Sequence, residues 1–202
     1  MNLSVQRGIK RAIDIAVSGA ALLAAWPVLA GIAAAIRITM GKPVFFRQPR
    51  PGRGGRIFRM WKFRSMRNLE DCPPGVDGVQ RITPLGKILR ATSLDELPEL
   101  INVLVGDMSL VGPRPLLVKY LDRFTPEEAR RHEVRPGITG LAQVSGRNAQ
   151  SWEERLATDV RYVDEWSLAL DWKILVKTVK TVLAREGVNA GAATTMTEFR
   201  PQ

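Results

Sequence analysis

The sequence predicts an α-rich α+β fold: a compact monotopic membrane domain with an N-terminal re-entrant membrane helix, a small β-hairpin and interfacial amphipathic helices. Three observations predict it. Residues 15–36, IAVSGAALLAAWPVLAGIAAAI, are an uncharged apolar run with Pro27 near the centre and basic residues at both ends. Two apolar arms flank a Gly/Arg-rich turn between residues 43 and 66. Most of the chain beyond Thr83 carries apolar residues at helical spacing.

The apolar run comes first. A hydrocarbon core takes roughly 20 helical residues to cross, so a run of 22 is long enough. Lys and Arg near a span favour the cytoplasmic side. Arg7, Lys10 and Arg11 precede the run, and Arg37, Lys42, Arg47, Arg50 and Arg53 follow it, so both ends favour the same side. Proline lacks the N–H that bonds four residues back, and its ring clashes with that turn. A helix broken at Pro27 that enters and returns satisfies both facts, with Ser18 and small neighbours available to the freed carbonyls. A kinked transmembrane helix is the alternative. A cleaved signal peptide fits least, because its apolar region spans only about 7–15 residues. The chain therefore divides into an anchor, 1–42, a cytoplasm-facing body, 43–187, and a tail, 188–202.

Charge is distributed to match. Residues 1–69 hold 13 Lys and Arg against the single acid Asp14, whereas residues 70–202 hold 17 against 19. The net +10 of the 202-residue chain thus arises beside the apolar run. That asymmetry suits an anionic leaflet attracting a juxtamembrane basic segment, with membrane lipids as partners. No helix-turn-helix, zinc or RNA-binding signature accompanies it, so no nucleic acid partner is expected. One cysteine, Cys72, and one histidine, His132, leave no disulfide and no Cys/His zinc set. Cys72 lies in a turn-rich stretch, and His132 reads as a solvated surface residue.

The body follows in order. Residues 43–66, PVFFRQPRPGRGGRIFRMWKFRSM, predict a hairpin. Residues 83–90 and 95–105 have helical spacing, with Leu85, Ile88 and Leu89, then Leu97, Leu100, Ile101 and Leu104. TPEE at 125–128 predicts a short polar helix with Thr125 as N-cap and Pro126 at the first position. Ser151 and Glu154 have capping-box spacing ahead of a helix reaching Trp166. Residues 170–187 form an amphipathic helix with Lys173, Lys177 and Lys180 on one face, suited either to the membrane interface beside Trp166 and Trp172 or to the core.

Chemistry concentrates in TSLDELPELINVLVGDMSLVGPRP, residues 92–115. Asp95 and Glu96 adjoin a helix start, where carboxylates are stabilised as anions, with Arg90 behind and Arg114 ahead. Ser93 and Glu96 also have capping-box spacing, so a purely structural role for Glu96 stays open; Pro98 leaves the helix start unfixed. Pro113 and Pro115 hold Arg114 in a stiff extended segment suited to bidentate phosphate contact. A second loop, VRPGITGLAQVSGRN at 134–148, combines Arg135 and Arg147 with three glycines whose amides suit phosphate oxygens or a structural turn. No Walker A or GxGxxG pattern is present.

The order of features resembles the bacterial sugar transferase family, the small monotopic polyprenyl-phosphate phosphoglycosyl transferases. The resemblance covers nearly the whole chain. It rests on KRAIDI at 10–15, the proline-broken run, WKFRSM at 61–66, residues 92–115, residues 134–148, and YVDEWSLALDWKIL at 162–175. It implies an enzyme in its minimal catalytic form, which moves a sugar-1-phosphate from a UDP-sugar to polyprenyl (undecaprenyl) phosphate with release of UMP, initiating glycoconjugate assembly. Residue by residue it makes Asp95 the nucleophile, with a covalent aspartyl-phosphosugar intermediate, and Glu96 the ligand of a Mg2+ ion. Arg90, Arg114 and Arg147 become phosphate-neutralising groups, Lys62 a substrate contact and Asp159 a supporting carboxylate. Lys10, Arg11 and Pro27 belong to the anchor, with Lys10 and Arg11 at headgroup level, holding the anchor or meeting the polyprenyl phosphate. The implied location is the bacterial inner (cytoplasmic) membrane, monotopic, with the site facing the cytoplasm; a homodimer is compatible. One departure stands out: Trp26 replaces the serine that commonly precedes the family's proline. TTMTEF at 194–199 resembles tails of members handling N-acetylated amino sugars. The alternative of a different class is a non-catalytic scaffold binding anionic lipid.

Overall fold

The computed structural model of the chain describes residues 3–73, 75–76, 78, 80–145, 150–183 and 199. Its first element, α1 (Leu3–Met40), is one helix with Pro27 inside it. The expected break is therefore a proline accommodated within a continuous helix. Ser18 plays no part there, because its Oγ donates to the Asp14 carbonyl at 2.6 Å, in its own turn. Trp26 does not brace the site either, being 64% exposed.

α1 buries one stripe and exposes the rest. Asp14, Ser18, Leu22, Ala25, Leu29, Ile32, Ile36 and Met40 face the body at three- and four-residue steps, the spacing that brings helix residues onto one face. Away from that stripe, Leu23 (77% exposed), Val28 and Ile38 (83%) are bare. Both ends are tied down. Lys10 pairs with Asp171 and donates to the Val111 carbonyl at 3.0 Å, and Arg11 donates to the carbonyls of Val103 and Leu104 at 2.6 and 2.9 Å. At the far end Arg64 donates to the carbonyls of Met40 and Lys42. Lys10 and Arg11 thus fasten the N-terminal turns of α1 to the body.

The hairpin forms as expected. β1 (Phe45–Pro51) pairs antiparallel with β2 (Ile57–Phe63), Phe45 opposite Phe63 and Pro51 opposite Ile57. Gly54 and Gly55 take positive φ in the turn, a region open to glycine. Strand alternation sends Phe58 and Met60 into the core. Arg47 stacks over Trp61 at 3.6 Å on the other face, a cation–π contact.

α2 (Pro84–Ala91) starts at Thr83, whose hydroxyl accepts from the Gly86 amide at 2.9 Å. Gly86 is obligatory there, since a Cβ would lie 1.9 Å from the Ser65 carbonyl oxygen. The chain then turns through Ser93 (φ 56°) into a 3-10 turn, Leu94–Glu96, and α3 (Glu99–Val105). Pro98 explains the interruption: it tolerates only a first-turn position, so one expected helix becomes a turn plus a helix.

β3 (Ser109–Val111) pairs parallel with β4 (Gly137–Thr139), a pair the sequence reading lacked. Gly137 and Gly140 serve this contact rather than a phosphate cradle: a Cβ on Gly137 would lie 2.1 Å from the Gly112 nitrogen, and one on Gly140 2.3 Å from the Gly112 oxygen. The capping box of Thr125 with Glu128 opens α4 (Pro126–Ala129), a single turn that tightens into 3-10 at Arg130–Glu133. α5 (Leu141–Ser145) follows. Ser151 and Glu154 cap α6 (Trp152–Asp164), which ends before Trp166.

α7 (Leu168–Leu183) closes the described body. It packs on the core through Ile174 and Asp171, yet shows Trp172, Val176 and Val179 to the outside. The core joins Phe58, Met60, Leu100, Val103, Met108, Leu110, Val111, Tyr162 and Ile174. Phe199 returns to a satellite cluster with Tyr120 and Trp152; the remainder of TTMTEF lies outside the described residues. His132 departs from its expected surface place. It is half-buried beside Phe124 with an unpartnered Nε2, and burial followed by Arg131 pushes its pKa down to about 4. Cys72 stays free, partly buried against the Asn68 carbonyl.

Candidate active site

Three carboxylates and two cations meet where the 3-10 turn enters α3. Lys62, at the end of β2, places Nζ 2.6 Å from Glu96 Oε1 and 3.1 Å from Glu99 Oε1. Arg114, from the proline-framed segment after β3, pairs with the same Glu96 Oε1, and its Nη1 stands 3.5 Å from Oε2. Glu96 is thus an ion-paired residue and not a helix cap; Ser93, in the left-handed region, makes no capping bond. Burial alone would raise the Glu96 pKa, but Arg114 and Lys62 outweigh it and hold the carboxyl well below the usual carboxylate range.

Asp95 differs from its neighbour. It is 8% exposed, and no cation of the described residues lies within ion-pair distance of it. Burial first, then the charge of Glu96, pushes its pKa up, partly offset by Lys62 and Arg90. Its carboxylate is consequently more basic than an ordinary aspartate, held by a backbone hydrogen bond but by no ion pair among the described residues. Glu99, 1% exposed, is also raised, by burial foremost and with Lys62 opposing. Its Oε1 makes no hydrogen bond despite the nearness of Lys62.

The cations have distinct commitments. Arg90 spends Nε on the Ser65 hydroxyl at 2.9 Å, and its two Nη groups bond no described residue. Arg50, on β1, donates to the Pro115 carbonyl at 3.1 Å, and burial, then Arg114, pushes its pKa down to about 10. Such a cluster of partly desolvated guanidinium and ammonium groups around one uncommitted carboxylate suits an anionic, phosphate-bearing substrate and attack on phosphorus.

A model of the family described as bacterial sugar transferase matches residues 5–185. The chain belongs to that family. The resemblance carried by the motifs is thereby established over most of the sequence, and with it a transferase activity. EpsL of Bacillus subtilis, an uncharacterized sugar transferase, is 49% identical, covering 89% of this chain and 90% of its own. A UDP-glucose:undecaprenyl-phosphate glucose-1-phosphate transferase of Caulobacter vibrioides is 44% identical, over 88% of this chain and 70% of that protein. A UDP-N-acetylgalactosamine-undecaprenyl-phosphate N-acetylgalactosaminephosphotransferase of Aeromonas hydrophila is 41% identical, over 89% of this chain but 44% of that protein.

Of the residues expected in this sugar transferase's site, Lys62, Arg90, Asp95, Glu96 and Arg114 are brought together. Asp159 is not among them. It forms a buried pair with Arg131, 2.7 Å from Nη2, and Arg131 Nη2 also donates to the Arg114 carbonyl at 2.7 Å. Asp159 therefore acts two residues away, holding the backbone that carries Arg114. Arg147 lies outside the described residues. Sequence reasoning missed Glu99, Arg131 and Arg50. For Glu99 the signal was available: it follows Glu96 by three residues, the interval that places helix residues on one face.

Proposed function

We propose that this sugar transferase moves a sugar-1-phosphate from a UDP-sugar to undecaprenyl phosphate at a membrane surface, through Asp95. The observation that carries this reading is the contrast between Asp95, buried, raised in pKa and uncommitted, and Glu96, whose charge is held by Lys62 and Arg114. An Asp95 carboxylate oxygen attacks the phosphorus bearing the sugar, and the bond from that phosphorus to UMP breaks. An oxygen of the polyprenyl phosphate then attacks the same phosphorus and frees the carboxylate. Splitting the displacement in two replaces one difficult step with two easier ones. Arg90 and Arg114 neutralise the diphosphate, while Lys62 keeps Glu96 and Glu99 from repelling it.

The residues suit magnesium. Glu96 Oε1 takes both cations, leaving Oε2 with only the 3.5 Å approach of Arg114, and Asp95 stands beside it. No three His, Cys, Asp or Glu residues form a ready-made cage among those described; magnesium keeps substrate phosphates and waters in its shell and needs only one or two carboxylates. Glu96 would hold the ion through Oε2. Bound there, it supplies charge stabilisation for the departing UMP.

The seat on the membrane is read from α1. A stripe touching the body along the helix leaves Ile13, Val17, Leu23, Trp26, Val28 and Ile38 exposed, and a contiguous exposed apolar surface marks a lipid-facing or partner-facing face. With both ends fixed to one body, α1 enters a single leaflet and does not separate its ends across the bilayer. The body then faces the cytoplasm, as the basic flanks require. The donor is a UDP-hexose; names of the relatives divide between glucose and N-acetylgalactosamine, and an N-acetylated amino sugar is the donor that the tail suggests. UMP release by nanodisc-embedded protein, with magnesium, undecaprenyl phosphate and UDP-sugars of both kinds, tests the reading. UMP formed with one donor and abolished by Asp95→Asn is expected; turnover surviving that substitution would refute it.

A further inference from the structure

A second polar site stands apart from the carboxylates. Arg7, Lys10, Arg11 and Asp14 of α1 line a partly open cavity of about 60 Å³ together with Arg53, Ser109, Glu133, Arg135, Tyr162 and Trp166. Its charge is unbalanced. Lys10 is paired with Asp171, but none of Arg7, Arg11, Arg53 or Arg135 is in an ion pair among the described residues. Asp14 spends its carboxylate on the Leu110 amide at 3.0 Å, and the Glu133 carboxylate lies against Arg130. The guanidiniums are close enough that Arg11 and Arg53, after burial, lower the pKa of Arg135, with Asp14 opposing them only in part. Ser109, wholly buried, lines the same cavity with a hydroxyl that has no partner. Buried polar groups are nearly always satisfied, so convergent cations with an idle hydroxyl describe a place for an anion.

An apolar cavity of about 70 Å³ adjoins it, sharing Lys10 and Asp14 and lined by Ile13, Leu110, Leu168, Trp172 and Leu175 between α1 and α7. One ligand shape fits both: a phosphate head with a hydrocarbon tail. The position agrees, because the apolar run begins just past Arg11, placing these arginines at headgroup level. We propose that this paired cavity binds one anionic phospholipid of the bilayer, its phosphate among Arg7, Arg53, Arg135 and the Ser109 hydroxyl, and an acyl chain between α1 and α7. This rests on the membrane seating proposed above. The lipid is not the acceptor substrate. Arg11 and Arg135 hold carbonyls at the C-terminal end of α3, whereas Asp95 precedes its N-terminal end, on the order of 15 Å away at 1.5 Å per residue.

The test uses full-length protein in phosphatidylcholine nanodiscs carrying a trace of photo-activatable phosphatidylglycerol. Cross-links are expected in the N-terminal turns of α1 and in α7, competed by unlabelled phosphatidylglycerol but not by inorganic phosphate. Arg7→Gln with Arg53→Gln, both exposed positions, should lower the yield about tenfold or more, with UMP release retained and Arg130→Gln without effect. Cross-linking blind to the pair would overturn the site alone. Competition by inorganic phosphate as effective as by lipid would overturn the lipid as its ligand. Failure of the protein to enter nanodiscs would overturn the membrane seating and the site with it.

Discussion

The two ends of α3 carry opposite chemistry. At its N-terminal end Asp95, Glu96 and Glu99 gather, with Lys62 and Arg114 brought in from elsewhere to offset them; at its C-terminal end Arg11 and Arg135 cover the last carbonyls and Gly106, with no ion pair among the described residues. A helix favours anions at its start and cations at its finish, so one short element sorts both sets. The difference lies in commitment. The N-terminal set is nearly neutralised internally and leaves one carboxylate, Asp95, uncommitted, while the C-terminal set keeps an uncompensated positive charge. The first arrangement suits chemistry on a phosphorus and the second suits holding an anion in place.

Breaking that contrast at its centre should have the largest effect. Asp95→Asn removes the nucleophile and should cut kcat by about 10³-fold or more, measured as UMP release. Its thermal midpoint at neutral pH should not fall. A carboxyl whose folded pKa is raised contributes stability below its unfolded pKa and loses it as pH rises through the folded value, so the asparagine removes a cost. The acid limb of kcat in the wild type should follow the ionisation of Asp95, with activity rising as pH rises through it.

Asp159→Ala comes next, acting on stability. It leaves Arg131 buried without a counter-charge, which typically costs about 3–5 kcal/mol, and it loosens the carbonyl that positions Arg114. Chemical denaturation should show the loss, and activity should fall with it. Lys62→Met should reduce kcat/KM by about 10²-fold and shift the acid limb upward, because removing a cation raises the neighbouring carboxyls. At the other end, Arg11→Ala should cost only about 1 kcal/mol, the worth of its carbonyl contacts, and leave the pH profile unmoved. An altered pH profile there would show that the two ends of α3 are electrically coupled.

Legibility in the sequence followed how local each signal was. Asp95 and Glu96 were readable because they adjoin a helix start, and Arg114 because two prolines frame it. The hairpin, the Thr125 cap, the Ser151–Glu154 capping box and the amphipathic α7 were readable from spacing within a few residues, whereas the same spacing at Ser93 and Glu96 formed no cap. β3 and β4 were not: each is three residues long, too short for alternation, and their pairing depends on glycines 25 residues apart, Gly112 and Gly137, meeting backbone to backbone. Asp159 reached the site only through Arg131, a contact 28 residues distant in sequence. Pro27 misled in one respect, since a proline restricts the helix locally while packing along the whole stripe of α1 keeps it continuous. Glu99 was missed although its three-residue interval from Glu96 was there to read.

The central claim is that Asp95 becomes covalently bonded to the transferred phosphosugar. The most direct measurement incubates nanodisc-embedded protein with magnesium and a UDP-sugar labelled at the phosphorus bearing the sugar, without polyprenyl phosphate, then quenches and maps the label by peptide. Label on the peptide containing Asp95, absent in Asp95→Asn and discharged when polyprenyl phosphate is added, is the result expected. Steady turnover with acceptor present but no label at any stage on that peptide would contradict the claim.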